Sequence, residues 1–253
     1  MIKSVQSYSF AFACLTVVGA CVDDRTAELG ADLTGDEDSA RIEETASPDF
    51  RGAPNISGAI AGLGFPLGVG AVMKTNSGFQ IYRCDVSATG FAWALRTPLT
   101  ALEPQTRVRG AWRRAFRDLV AGLHYRSDFG GLLSVSRRQQ LGLISADGSS
   151  VNAPVWDFTF QPSGAASRHE IVAGRLLVQD DGGPGNIPRL LLEVRGNAID
   201  EGYRSPIANA THLVRWNTRG GRSPDPATCN AETLGQESQA PYSADYYFLV
   251  PSI

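Results

Sequence analysis

The side chains best suited to proton transfer or metal ligation near neutral pH are three histidines, His124, His169 and His212. With Asp157 or Glu170 they would make an acid/base pair or a metal site if the fold gathers them. Their spacings of 45 and 43 residues match no local metal-ligand pattern. His212 shares strand parity with Val214 and Trp216, which places it in packing or an edge hydrogen bond. The reading taken for the histidines is therefore structural. His124, in Gly122-Leu-His-Tyr125, is the first to test as a base. The sequence has no G-x-S-x-G elbow, no H-E-x-x-H pair and no P-loop, so neither a metal nor a cofactor is expected. Asp180-Asp-Gly-Gly-Pro-Gly-Asn186 reads as a turn rather than a calcium loop.

The strongest local charge feature is arginine. Trp112, Phe116, Leu119, Val120 and Leu123 fall three or four apart, which predicts a helix over Arg107 to Leu123. Its other faces carry Arg107, Arg109, Arg113, Arg114 and Arg117. Arg109, Arg113, Arg114 and Arg117 are candidates for binding an envelope polyanion or glycan, since guanidinium forks suit phosphate. The plainer reading, preferred here, is a solvated outer face over an aromatic stripe packed on a sheet. Nucleic acid is not an expected partner.

The elements that must position these residues read as mostly β. Phe79 to Cys84, Phe91 to Leu95, Val155 to Phe160, Ile171 to Val178, Arg189 to Arg195, His212 to Trp216 and Tyr246 to Val250 are short apolar segments between Gly, Pro, Asn and Asp. Phe91, Trp93 and Leu95 alternate with alanines, as do Trp156, Phe158 and Phe160 with polar residues, which predicts faces packed on a core. Ser136-Arg-Arg-Gln139 has the form of a capping box for a second, short helix. The expected fold is mainly β: a single antiparallel β-sandwich or open barrel over 56–253, with a helical insert near 105–150. Gly58 to Gly70 is expected to be a loop or weak edge strand.

Charge is unevenly placed. The 253 residues carry 23 basic and 26 acidic groups, a formal net charge of −3. Between Asp23 and Asp49 lie ten acids and two arginines, net −8, whereas 50–253 holds 20 basic and 16 acidic groups, net +4. The acidic stretch has almost no large apolar side chain and is expected to be a disordered spacer. Before it, Lys3 and an apolar run from Tyr8 to Val18 form an export signal over 1–20, too short to span a bilayer. Val18-Gly-Ala-Cys21 resembles a bacterial lipobox, so Cys21 is the expected lipidation site, opening a linker over 21–55. The expected location is the outer membrane as a lipoprotein, with plain secretion as the alternative. Cys14 leaves with the signal and Cys21 is acylated, so Cys84 and Cys229 remain, most simply as a disulfide in an oxidising compartment.

The ordered series Gly78-Phe-Gln-Ile-Tyr-Arg-Cys84, Phe91-Ala-Trp-Ala-Leu95, Gly122-Leu-His-Tyr125, Pro154-Val-Trp156, Arg215-Trp-Asn-Thr-Arg-Gly-Gly221 and Pro241-Tyr-Ser-Ala-Asp-Tyr-Tyr-Phe248 resembles an uncharacterised family of exported bacterial and fungal proteins. In that family cysteines matching Cys84 and Cys229 recur together, which supports the disulfide by analogy. The resemblance implies no activity and no catalytic residues. Some fungal members carry a "malate dehydrogenase" label, which the residues reject. Gly62-Leu-Gly64 is followed by Leu67 where a third glycine belongs, Pro66 lies inside the motif, and no βαβ alternation surrounds it. Two functions remain: a lipid-anchored, non-catalytic surface domain that binds a partner or an envelope component, or an extracytoplasmic, hydrolase-like enzyme using His124 with nearby carboxylates.

Overall fold

A computed structural model describes residues 50–105, 116, 118–200 and 207–252. The expected signal, Cys21 and the acidic stretch lie outside the described residues, as do Arg109, Arg113, Arg114 and Arg117.

Nine strands form one antiparallel sheet: β1 (Leu67–Ser87), β2 (Gly90–Ala101), β3 (Glu103–Pro104), β4 (Leu119–Arg126), β5 (Pro154–Phe160), β6 (Arg168–Asp180), β7 (Arg189–Ile199), β8 (His212–Gly220) and β9 (Glu237–Pro251). They run in the order β2-β4-β5-β6-β7-β8-β9-β1, and β1 pairs back to β2, which closes an eight-stranded barrel. The two-residue β3 adds to β1 beside Met73 and Lys74. Mainly β is therefore right, but the expected sandwich or open barrel is a closed barrel. The physical difference is β1, long enough to pair with β9 from Leu67 to Arg83 and with β2 from Gly78 to Ser87, which closes the ring of strands.

Strand parity sorts the side chains. Trp156, Phe158 and Phe160 point into the barrel with Val172, Leu192, Leu213, Tyr246 and Phe248, as one core. The alternation in β5 thus marks the lumen, as its period of two predicts. In β2 the strand is present, but Phe91 and Leu95 are 42% exposed rather than packed on a core.

Two outer faces are covered. The short helix α1 (Pro54–Ala61) stands where a loop was expected; Pro54 begins it, and Ile56 packs with Phe50 and Ala53 over Leu191, Val214 and Leu249. Phe50 and the start of α1 fall inside the stretch 21–55 expected to be a linker. The second helix, α2 (Val135–Gln140), is capped by Ser134, whose Oγ accepts from the Arg137 N–H at 3.3 Å, two residues before the predicted cap. The segment carrying α2 lays Leu133, Leu141 and Leu143 over Tyr125, Val155 and Ile171.

The expected helix over Arg107 to Leu123 falls largely outside the described residues, but its end is corrected. Leu119, Val120 and Leu123 stand on β4, which pairs with β5 from Leu119 to Arg126. Val120 and Leu123 face solvent. An exposed apolar strand face imitates helical spacing, and the ladder needed to join β2 to β5 decides the outcome.

Candidate functional site

The three histidines are not gathered. His124 and Trp156 are register partners on β4 and β5, and both point into the lumen. His169, on β6, sits on the outside of the barrel, its Nδ1 3.8 Å from Asp157 Oδ1. Tyr125 donates its hydroxyl to the other Asp157 oxygen at 2.8 Å. Burial and the Asp157 charge push the Tyr125 phenol well up. His212 is on the outer face with Val214 and Trp216, as its parity predicts, with Nδ1 3.0 Å from Thr211 Oγ1 and Phe65 beside its ring. Among the described residues no group of three or more His, Cys, Asp or Glu side chains is placed to hold a metal. Glu170 is buried inside the barrel, where it accepts from Asn197 Nδ2 at 3.2 Å.

His124 is embedded. Its ring is 4.5 Å from the Trp156 ring and nearly parallel to it, and Tyr246 meets it edge-on at 5.1 Å. Nδ1 lies 2.9 Å from the Val155 carbonyl, to which it donates as the N–H tautomer. Burial drives its pKa down to about 3; the Val155 bond opposes the shift and the Arg215 charge adds to it. The ring is neutral at any physiological pH.

Around these rings lies a cavity of about 360 Å³. Its lining includes the buried His124, Trp156 and Leu192 together with Arg215, and the exposed Leu95 and Leu176 mark its open end. Phe158, Phe160 and Phe248 belong to the core that fills the rest of the lumen. Gly174 makes room for the indole: a Cβ there would stand 3.0 Å from Trp156 Cζ3 and 3.1 Å from Leu192 Cδ2. An eight-stranded barrel encloses about the space that side chains fill or one small ligand occupies. Here side chains fill one part of the lumen and a cavity remains in the other.

Arg215, on β8, was not singled out by sequence, where it appeared only as the first residue of a motif. Its Nε and Nη2 donate to the Pro188 carbonyl at 3.0 and 2.8 Å. Burial raises the pKa of Tyr246, and the charge of Arg215 and its hydrogen bond to the phenol oppose that rise. Tyr242, 3.1 Å from Tyr246 hydroxyl to hydroxyl, is raised by burial still more clearly. Parity was the available signal: Arg215 stands two residues after the inward Leu213, with Val214 and Trp216 outward on either side of it, so it falls on the inner face.

The rest of that motif shapes the barrel rim. Asn217 has a φ of 48° and donates to Asp245 at 2.6 Å, where β8 bulges. Gly221 accepts the Tyr82 hydroxyl at 2.7 Å, and its φ of 82° suits glycine. A polar groove of about 720 Å³ runs past Lys74, Asn76, Arg189, Asn217, Arg219 and Asp245. Cys84 and Cys229 form a disulfide with Cα atoms 5.4 Å apart, which ties the β8–β9 connection to β1.

The chain belongs to the family described as protein of unknown function DUF3455, whose sequence model matches residues 69–250. The match runs from the start of β1 to the end of β9, the whole barrel, and leaves out α1. No curated protein and no solved structure matches the chain.

Proposed function

We propose that this family member is a non-catalytic binding domain whose barrel lumen receives one small, largely apolar molecule, carried at the cell envelope by a lipid on Cys21. The observation that supports this reading is the cavity of about 360 Å³ beside the His124–Trp156 stack. Its size falls within the range of small-molecule sites, and its walls are mostly apolar with a few convergent polar groups. The hydrolase-like alternative gains little from the same geometry. His124 is held neutral with one nitrogen committed to Val155, and among the described residues no carboxylate is hydrogen-bonded to it.

The neutral dye N-phenyl-1-naphthylamine tests the reading. Saturable, one-to-one fluorescence enhancement is expected with the protein, and its loss in Leu190→Trp, which fills the cavity wall. No enhancement, or enhancement untouched by that substitution, would count against a lumenal site.

The anchor and outer-membrane location rest on the Val18-Gly-Ala-Cys21 sequence and on Val22 after it. Detergent-phase partitioning of the wild-type protein, lost in Cys21→Ser, is the expected result; an unanchored wild type would favour plain secretion. Polyanion binding through Arg109, Arg113, Arg114 and Arg117 is a separate, secondary proposal. It stands only if joint replacement of Arg113, Arg114 and Arg117 abolishes binding to anionic vesicles.

A further inference from the structure

We infer that the lumenal ligand is a monocarboxylate with an apolar body, its carboxylate held by Arg215 together with Gln80 and Trp156. This rests on the lumenal reading above and adds the ligand's charge and class.

Two buried donors of the cavity wall have no partner. Gln80, on β1, is 1% exposed and its Nε2 has no partner. Trp156 is 1% exposed and its indole Nε1 has none either. An indole nitrogen only donates, and native proteins leave few buried donors unmet. Both side chains line the same cavity as Arg215. Of the acceptors beside Arg215, the Tyr242 and Tyr246 hydroxyls bond each other, and the Pro188 carbonyl takes two N–H groups from the guanidinium. An acceptor brought in from outside would meet the two unpaired donors.

Charge narrows the class. A guanidinium stays protonated and has five N–H donors; two go to Pro188, and the group also bonds the Tyr246 phenol. Among the described residues no carboxylate forms an ion pair with Arg215. The second cation on the wall, Arg126, is 3.4 Å from Asp128 and so is balanced already. One uncompensated positive charge in a mostly apolar site calls for one negative charge. A phosphate monoester would bring nearly two and leave the surplus desolvated. A planar carboxylate suits a guanidinium fork and offers spare lone pairs to the amide and the indole. At the open end, Leu95 and Leu176 are 42% and 50% exposed and suit an apolar body leading out toward solvent.

The experiment titrates the full-length protein with octanoate, octan-1-ol and octyl phosphate, following the Trp156 indole N–H signal assigned through Trp156→Phe. Octanoate is expected to bind at least tenfold more tightly than either analogue and to shift that signal. Arg215→Gln and Gln80→Leu are each expected to weaken octanoate binding at least tenfold while leaving octan-1-ol binding in place. If Arg215→Gln fails to fold, Arg215→Lys, which keeps the charge but not the fork, and Gln80→Leu carry the comparison. Equal binding of octanoate and octan-1-ol, preference for octyl phosphate, or undiminished octanoate binding in the folded variants overturns the carboxylate and leaves the lumenal reading standing. If neither octanoate nor octan-1-ol moves the Trp156 signal, the lumenal reading falls and this inference with it.

Discussion

The imidazole of His124 lies flat on the indole of Trp156, with ring centroids 4.5 Å apart and planes 7° from parallel. That contact places a titratable ring where it cannot be solvated. Burial, with the Arg215 charge assisting and the Val155 bond opposing, takes its pKa from 6.5 to about 3. The unfolded chain therefore binds a proton between those values that the folded chain refuses. The stability it contributes is present above pH 6.5 and is lost as pH falls toward 3, at most roughly 5 kcal/mol. His212, also lowered by burial, adds in the same direction. Urea denaturation between pH 7 and 4 should show a falling midpoint, and His124→Phe, which keeps an aromatic ring in the stack, should flatten the fall. An equal slope in both proteins would place the acid sensitivity elsewhere.

Two glycines should respond oppositely to alanine. A Cβ on Gly196 of β7 would stand 2.5 Å from the Leu141 carbonyl oxygen, at the end of α2 and against backbone that has little room to move. Overpacking of this kind costs about 1–3 kcal/mol. Gly58 lies inside α1 with nothing within 4 Å of its Cβ position. Gly58→Ala should stabilise by about 0.5–1 kcal/mol, the gain expected for replacing a helical glycine. Chemical denaturation of the two variants measures both signs.

The disulfide should matter to the whole barrel. Cys84 and Cys229 are 145 residues apart in sequence and both are buried. The Trp93 indole secures the same connection, donating to Asp225 O at 3.2 Å and Thr228 Oγ1 at 3.0 Å. Replacing both cysteines by serine should cost about 2–5 kcal/mol. Trp93→Phe should cost on the order of 1 kcal/mol, the usual net worth of a hydrogen bond. A denaturation midpoint unchanged by Cys84→Ser with Cys229→Ser would mean that the barrel ladder alone holds this connection.

Local pattern carried more of the fold than of the site. Trp156, Phe158 and Phe160 announced an inward face because alternation is a property of one strand. Closure was not legible, since it depends on β1 reaching β2 and β9 at once, and the glycines at its start argued for a loop. The helical spacing around Phe116 to Leu123 misled because an exposed strand with apolar residues can meet the same template. Histidine count drew attention to chemistry, yet His169 and His212 face outward and only His124 enters the lumen. Arg215 and Gln80 were missed as site residues. Each is unremarkable by type, and what distinguishes them is a place inside a closed barrel, Gln80 with its Nε2 unpaired and Arg215 with no carboxylate among the described residues beside it, which no single strand reveals.

The body should lose its outer packing if Phe50 and α1 are cut away. Phe50 is 6% exposed and meets Trp216 and Tyr247 edge-on at 5.1 and 5.6 Å, while Ile56 is fully buried and its backbone N–H donates to Asp180 Oδ2 at 2.9 Å. Together they cover Leu191, Val214 and Leu249, apolar positions on the outer faces of three adjacent strands. Ile56→Ala should therefore cost about 2–5 kcal/mol, as for a buried aliphatic truncation. A chain beginning at Gly62 should melt lower and self-associate through that bared patch, whereas one beginning at Pro48 should keep both the melting temperature and the monodispersity of the longer protein. Light scattering and thermal denaturation of the two truncations separate these outcomes. Equal melting of both would mean that α1 rides on the barrel without stabilising it.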